Sequence, residues 1–211
     1  DTGAKYMTTC ILMKCINNGS VVSKKNCAGG IVGKMELGYL SNSYGYGAIS
    51  SSSGDYVGGI AGYCETTINS CWSKVNLSGG NDIGGIAGYT NGILKNNYSL
   101  IQIRDGKEYL GAIAGCSEGT LIGNYFVHDE LAGVDKISLK GKAEPVSYEQ
   151  LLAAPMCPMP FSVMRVQLIV DDEVIKELST GYGESLNPAD IPLVPKRENA
   201  QGSWSDEDFE S

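Results

Sequence analysis

Apolar positions in the first 140 residues do not follow helical spacing. They recur at a much longer interval. Four segments align: Gly29-Gly30-Ile31-Val32-Gly33, Val57-Gly58-Gly59-Ile60-Ala61-Gly62-Tyr63, Ile83-Gly84-Gly85-Ile86-Ala87-Gly88-Tyr89 and Leu110-Gly111-Ala112-Ile113-Ala114-Gly115-Cys116. The steps from Ile31 to Ile60, Ile86 and Ile113 are 29, 26 and 27 residues. A second set of columns keeps pace: Leu40 with Tyr44, Ile68 with Trp72, Leu94 with Tyr98, and Leu121 with Tyr125. Leu12 with Ile16 reads as an incomplete earlier copy. A period of this size marks supersecondary units that bury their apolar faces by stacking.

The unit is β rather than α. Glycine is too dense for helices, and Leu94-x-Asn96-x-Tyr98 and Ile101-x-Ile103 alternate as short strands do. The leucine-rich-repeat signature is missing, and propeller blades need longer repeats. The expected architecture is a Gly-rich parallel β-solenoid of about 27 residues per coil, with neighbouring coils ~4.8 Å apart. Equivalent residues then become ladders. Ile60, Ile86 and Ile113 are expected to form a buried aliphatic stack, and Tyr44, Trp72, Tyr98 and Tyr125 an aromatic one. Alternation is expected to place that aromatic ladder in the core beside Leu40, Ile68 and Leu94, the other reading being a sugar-stacking strip. The Gly58-Gly59 pair is expected to supply a bend with φ values closed to other residues, and Gly62 to allow close approach of coils.

Composition divides the chain. Residues 1–140 hold 24 of the 28 Gly, none of the 7 Pro and equal numbers of basic and acidic side chains, 11 each. Residues 141–211 hold 5 basic and 13 acidic side chains, which accounts for the net charge of −8. The expected organisation is a solenoid over 1–140, a connector over 141–163, and a small module over 164–211. Ser147-Tyr148-Glu149-Gln150 has capping-box spacing, which predicts a short helix over 147–154 ending before Pro155. Arg165–Val170 and Glu173–Leu178 alternate around Asp171-Asp172, which predicts a β-hairpin with an acidic turn.

These residues carry two resemblances. The segments around Ile60 and Ile86, with Ile68-Asn69-Ser70-Cys71-Trp72-Ser73 and Ile93-Leu94-Lys95-Asn96-Asn97-Tyr98-Ser99, resemble GLUG-motif repeats over roughly residues 10–130. Such repeats occur in large bacterial surface and secreted proteins, including adhesins and non-catalytic parts of some IgA-cleaving peptidases. The copies at Val32 and Ala112 depart from the pattern. Residues 165–209, with Tyr182-Gly183-Glu184, Ile191-Pro192-Leu193-Val194-Pro195 and Gly202-Ser203-Trp204, resemble the β-grasp-like internalin-type B repeat. In that family one more strand usually follows the Trp. A chain stopping at Ser211 implies a sheet short of an edge strand or a segment that continues. Residue 1 is Asp and no basic-then-apolar leader follows, so the chain is expected to be a piece of a longer or processed protein.

Charge and composition narrow the chemistry. An acidic chain with no cationic clusters argues against nucleic acid or an anionic membrane as partner, and no apolar stretch approaches the ~20 residues of a membrane span. The lone His128 rules out a His-rich metal site and reads as a surface residue. Five residues past the aligned Ile positions stand Glu36, Glu65, Asn91 and Glu118. Adjacent carboxylates in stacked coils either splay into water or hold a cation, and Glu36, Glu65 and Glu118 are the candidate metal ligands. Calcium needs six or more oxygens, and Asn91 interrupts the column, so a solvated corner is the leading reading. Carboxylates one rung apart also match glycosidase separations, but no His, Lys or Arg cluster joins them. A second column, Asn26, Asp55, Asn81 and Glu108, is expected to cap turns. Tyr63 and Tyr89 are the candidate ligand-binding residues. The acidic run Asp206, Glu207, Asp208 and Glu210 reads as a solvated tail.

Seven cysteines cannot all pair. No Cys-x-x-Cys supports zinc, and Cys15 and Cys71 would lie two coils apart, beyond disulfide reach. Most are expected to be small buried hydrophobes, with a bond among Cys10, Cys15 and Cys27 left open. Together with the resemblance, these readings lead to the expectation of a non-catalytic structural or adhesive module of a bacterial cell-surface or secreted protein. Its location is extracellular, no catalytic residue or cofactor is assigned, and its partner is a host or cell-surface protein or glycan. A carbohydrate-binding module and an accessory region of a surface enzyme are the alternatives.

Overall fold

The computed structural model describes residues 10–171, 173–181, 185–195 and 203–204. The expected elements at Tyr182-Gly183-Glu184 and Gly202, and the run Asp206–Glu210, lie outside the described residues. The molecule is all-β, with 51% strand and 6% helix, and forms a parallel β-solenoid of about 4 coils at ~27 residues per turn. The chain divides into two compact units at Pro158/Met159.

Each coil contributes to four parallel sheets. The first stacks Ile11–Met13, Tyr39–Ser41, Thr67–Asn69, Ile93–Lys95 and Thr120–Ile122. The second runs from Ile16–Asn17 and Val21–Ser23 through Tyr44–Ser51, Trp72–Ser78 and Tyr98–Asp105 to Asn124–Val127 and Ala143–Pro145. The third is narrow, with Ala28–Gly29, Val57–Gly58, Ile83–Gly84 and Leu110–Gly111. The fourth comprises Val32–Met35, Ala61–Cys64, Ala87–Thr90 and Ala114–Ser117. Registers put like over like: Leu12, Leu40, Ile68, Leu94 and Leu121 form one column.

The interior is divided in two. One core holds Leu40, Ile68 and Leu94 with Ile60, Ile86 and Ile113, all fully buried. The expected isoleucine stack is therefore present, and rung-to-rung bonds tie it, with Ile60 N–H donating to Ile86 O (3.1 Å) and Ile86 N–H to Ile113 O (2.8 Å). The other core holds Ile49, Val57, Val75, Leu77, Ile83 and Ile101. Burial of each such side chain is worth roughly 1.5–3 kcal/mol.

Between the cores the coil is pinched. A Cβ on Gly59 would collide with Ser73 Oγ and the Gly85 carbonyl, and one on Gly85 with Ser99 Oγ and the Ala112 carbonyl. The glycines are thus required for lack of size. This corrects the expectation for Gly58-Gly59, because neither has a left-handed φ. Gly62 is crowded in the same way, since a Cβ there would lie 2.6 Å from backbone of Cys27 and Gly33.

The left-handed conformations sit at two corners. Lys14, Asn42, Ser70, Asn96 and Gly123 (φ 47–58°) turn each coil from the first sheet to the second. Cys27, Tyr56, Asp82 and Tyr109 (φ 56–66°) precede the third. Each non-glycine there costs roughly 1–2 kcal/mol, which rung-to-rung bonds offset; Ser70 N–H donates to Lys95 O (3.0 Å) and Tyr56 N–H to Asn81 O (3.1 Å). The turn-capping column works between rungs as well. Asn26 Oδ1 accepts from Asp55 N (3.1 Å), and Asp55 Oδ1 accepts from Asn81 N (2.8 Å). A polar ladder runs inside. Buried Asn124 Oδ1 accepts from Asn97 Nδ2 (2.8 Å), and Asn97 Oδ1 accepts from Cys71 N (2.9 Å).

The first corner also decides where the aromatic column points. Trp72 stacks on Tyr98 (4.0 Å between centroids, 13°) and Tyr98 on Tyr125 (5.7 Å, 28°), in register with Tyr44. The column does not join Leu40 in the core. The left-handed residue between them interrupts the alternation, so Ser73, Val75 and Leu77 face inward and Trp72 faces out. Residues 143–158 fold back toward this side: Val146 N–H donates to Phe126 O (2.9 Å), and the helix packs against Asn124–Val127. That helix, Tyr148–Leu152, has the expected capping box on Ser147 and buries Leu151. The connector thus belongs to the first unit as far as Pro158.

In the second unit, Val163–Val170 pairs antiparallel with Glu173–Gly181, the expected hairpin, with a bulge between Leu168 and Ile169. The turn needs no glycine because Asp171 takes φ 52°. Residues 191–195 and 203–204 lie outside any strand; Trp204 Nε1 donates to Pro192 O (2.9 Å).

Candidate functional site

The outward face of the fourth sheet gathers the candidate residues. Its registers set Lys34, Tyr63, Tyr89 and Cys116 in one column. Tyr63 and Tyr89 stack face to face at 5.0 Å and 14°. Tyr56, held on its left-handed corner, meets both edge-on at 5.6 and 5.8 Å. Lys34 Nζ lies 5.2 Å from the Tyr63 ring centroid and 2.8 Å from Glu36 Oε1. All three tyrosines are half-buried. Because their ring faces are turned toward each other, Tyr63 and Tyr89 present edges and hydroxyls to solvent. The inner ring faces close on each other and Lys34 lies over Tyr63, which leaves the far side of Tyr89 as the open ring face.

The acidic column borders this strip. Glu65 N–H donates to Met35 O (2.9 Å), Asn91 N–H to Cys64 O (3.2 Å) and Glu118 N–H to Thr90 O (2.8 Å), so Glu36, Glu65, Asn91 and Glu118 climb one rung at a time. All four are exposed. The carboxylates do not converge. Glu36 pairs with Lys34, Glu65 Oε1 accepts from Tyr63 Oη at 2.6 Å, and Glu118 accepts from the Tyr89 hydroxyl. Among the described residues no group of three or more His, Cys, Asp or Glu side chains could hold a metal ion.

Electrostatics follow from these partners. The hydrogen bond to Glu65, then burial, pushes the Tyr63 hydroxyl up to about 12. Burial, then the bond to Glu118, does the same for Tyr89. Both therefore stay protonated as donors. Asp82, in the column of Tyr56, is pushed up to about 6 by burial, then by Asp55 and Asp135. The Cys116 thiol is raised by burial, then by Asp82, Glu118 and Asp135.

Sequence reading found Tyr63, Tyr89 and the acidic column but missed Lys34, Tyr56, Asp82, Cys116 and Asp135. The first four were visible in the aligned repeat: Lys34 and Cys116 stand where Tyr63 and Tyr89 do, three past the isoleucine. His128 is half-buried, and its Nδ1 accepts from Glu130 N (3.1 Å) and Leu131 N (3.0 Å), so it organises a turn. All seven cysteines are free; Cys64 and Cys71 are buried, Cys10 is exposed and the others are half-buried.

Searches against family models, curated proteins and solved structures returned no match. No helix among the described residues is long and apolar enough to cross a membrane.

Proposed function

We propose that this chain is a non-catalytic structural and adhesive module of a bacterial cell-surface or secreted protein: GLUG-type coils followed by a small β-grasp-like unit of the internalin B-repeat kind. The observation that carries this reading is the in-register stack itself. Each added coil extends it by ~4.8 Å and repeats the same outward columns, which suits a spacer with long faces for extended contacts. The dispersal of Glu36, Glu65 and Glu118 among separate partners supports a non-catalytic role, since paired-carboxylate chemistry needs two groups at one bond.

The test is display on a non-adherent bacterium. Attachment to host cells or matrix is expected with the natural chain and is expected to be lost with Gly59→Val, which breaks the stack. Equal attachment by both would sink the adhesive reading. Cleavage of a polysaccharide by the purified chain, abolished in Glu65→Gln, would overturn the non-catalytic one.

A further inference from the structure

We propose that the outward face of the fourth sheet docks an extended, arginine-bearing peptide, its guanidinium lying on the free side of Tyr89 among Asp82, Glu118 and Asp135. This rests on the adhesive reading and names the chemistry of its partner.

The molecule already contains one such arrangement. At the lower end of the stacked pair, Lys34 places its ammonium over the Tyr63 ring and against Glu36. The two ends of the ladder are not alike. At the upper end the register position belongs to Cys116, whose short side chain leaves the far side of Tyr89 without a long cation. Acid is concentrated there: Glu118 holds the Tyr89 hydroxyl, and Asp82, Glu118 and Asp135 all bear electrostatically on Cys116. Among the described residues, ion pairs are Lys34 with Glu36 and Arg165 with Glu177, so no Lys or Arg answers these three carboxylates. Burial and the neighbouring carboxylates hold Asp82 up at about 6, as expected where negative charge is unmet.

The geometry selects the cation. Among the described residues these carboxylates do not form a group of three that could hold a metal ion. A guanidinium is planar and carries five donors in a fork. It can lie on an aromatic ring while reaching separate acceptors. The face is a flat parallel sheet with columns repeating every ~4.8 Å, which favours an extended chain over a compact ligand. A glycan would find a single open ring face here, the far side of Tyr89, while the carboxylates around that face favour a cation.

The test uses the full chain and a fluorescein-labelled eight-residue peptide alternating serine and arginine. Its citrulline and glutamate counterparts, a tetramer of N-acetylglucosamine, and calcium are the comparison ligands. The arginine peptide is expected to bind in low salt at least tenfold more tightly than the citrulline peptide, with shifts at the Tyr89 ring resonances. Glu118→Gln is expected to weaken binding about fivefold, the scale of one partly exposed charge contact. Cys116→Lys supplies the cation within the chain; it is expected to abolish peptide binding and raise Tm. The proposal is overturned by absence of saturable arginine-peptide binding to folded protein, by equal citrulline binding, or by unchanged affinity in Cys116→Lys. Preferential binding of calcium or the sugar tetramer would overturn it too. A chain that supports cell attachment yet ignores the peptide sinks the partner assignment and leaves the adhesive reading standing.

Discussion

Two aromatic columns climb the outside of this solenoid, and they meet different fates. Tyr44, Trp72, Tyr98 and Tyr125 stand on the second sheet, and Trp72 is only 3% exposed. Tyr63 and Tyr89 stand on the fourth, half-buried and bordered by carboxylates. Both stack for the same reason: a parallel register puts identical positions ~4.8 Å apart, close to the distance rings prefer. What differs is the neighbourhood. Residues 143–158 return along the second sheet, bringing Cys157 near Tyr46, Tyr98 and Lys74. The fourth sheet is flanked by charge instead, and its tyrosines spend their hydroxyls on Glu65 and Glu118. An aromatic ladder is thus a by-product of stacking, and only its surroundings decide whether it acts as packing or as surface.

The comparison can be broken outright at the pinch. Gly59→Val drives a branched side chain into Ser73 and the Gly85 backbone, where nothing can yield. Loss of the whole stack is expected, with both columns, and is checked by near-ultraviolet circular dichroism. Trp72→Ala should cost about 3–4 kcal/mol in urea unfolding, as for large core aromatics. Tyr63→Ala should cost clearly less, and equal losses would mean that the two columns are packed alike. Ser147→Ala removes the capping-box acceptor, costing roughly 1 kcal/mol, and is expected to raise quenching of Trp72 fluorescence by iodide while leaving the tyrosine column unchanged.

The smallest effects are set by pH. Folding raises Asp82 from 3.8 to about 6, so the folded state resists its ionisation. That penalty is complete above pH ~6 and is relieved as pH falls toward 4. Asp82→Asn is therefore expected to stabilise at pH 7, on the order of 1 kcal/mol after allowance for solvent screening, with the gain vanishing below pH 4. His128 works in the opposite sense. Burial lowers it from 6.5, and protonation of Nδ1 would break both bonds it accepts. Its contribution is full above pH 6.5 and is lost as pH falls below that value. Melting temperatures of Asp82→Asn and His128→Gln between pH 4 and 8 separate the two trends.

Much of this was legible in the chain because repetition makes a column visible without knowing its direction. The coil length, the Ile60 and Leu40 columns, the aromatic ladder, the Ser147 box and the hairpin all follow from spacing and alternation. Direction was the weak point. Asn42 and Ser70 turn left-handed corners that interrupt alternation, so spacing alone places Trp72 beside Leu40, whereas it is buried apart from that cluster. Lys14, Cys27, Tyr56 and Tyr109 carry no intrinsic bias toward that conformation; the rung-to-rung bonds impose it. The pinch is hidden in the sequence for a related reason, since a glycine chosen for size looks the same as one chosen for φ. Asn97 and Asn124 gave no signal as interior residues, because a buried amide is legible only once its partners are known.

The corners have a mechanical consequence. The left-handed residues at the two solenoid corners and the Asn26 and Asp55 caps are bonded to the rung above or below them, so a coil that loses its neighbour also loses what kept its own turns bent. Tension applied along the chain should peel the stack one coil at a time. Each release should free a coil of ~27 residues, about 90 Å of extended polypeptide, so that a chain pulled from its ends would give a staircase of small yields in place of a single rupture.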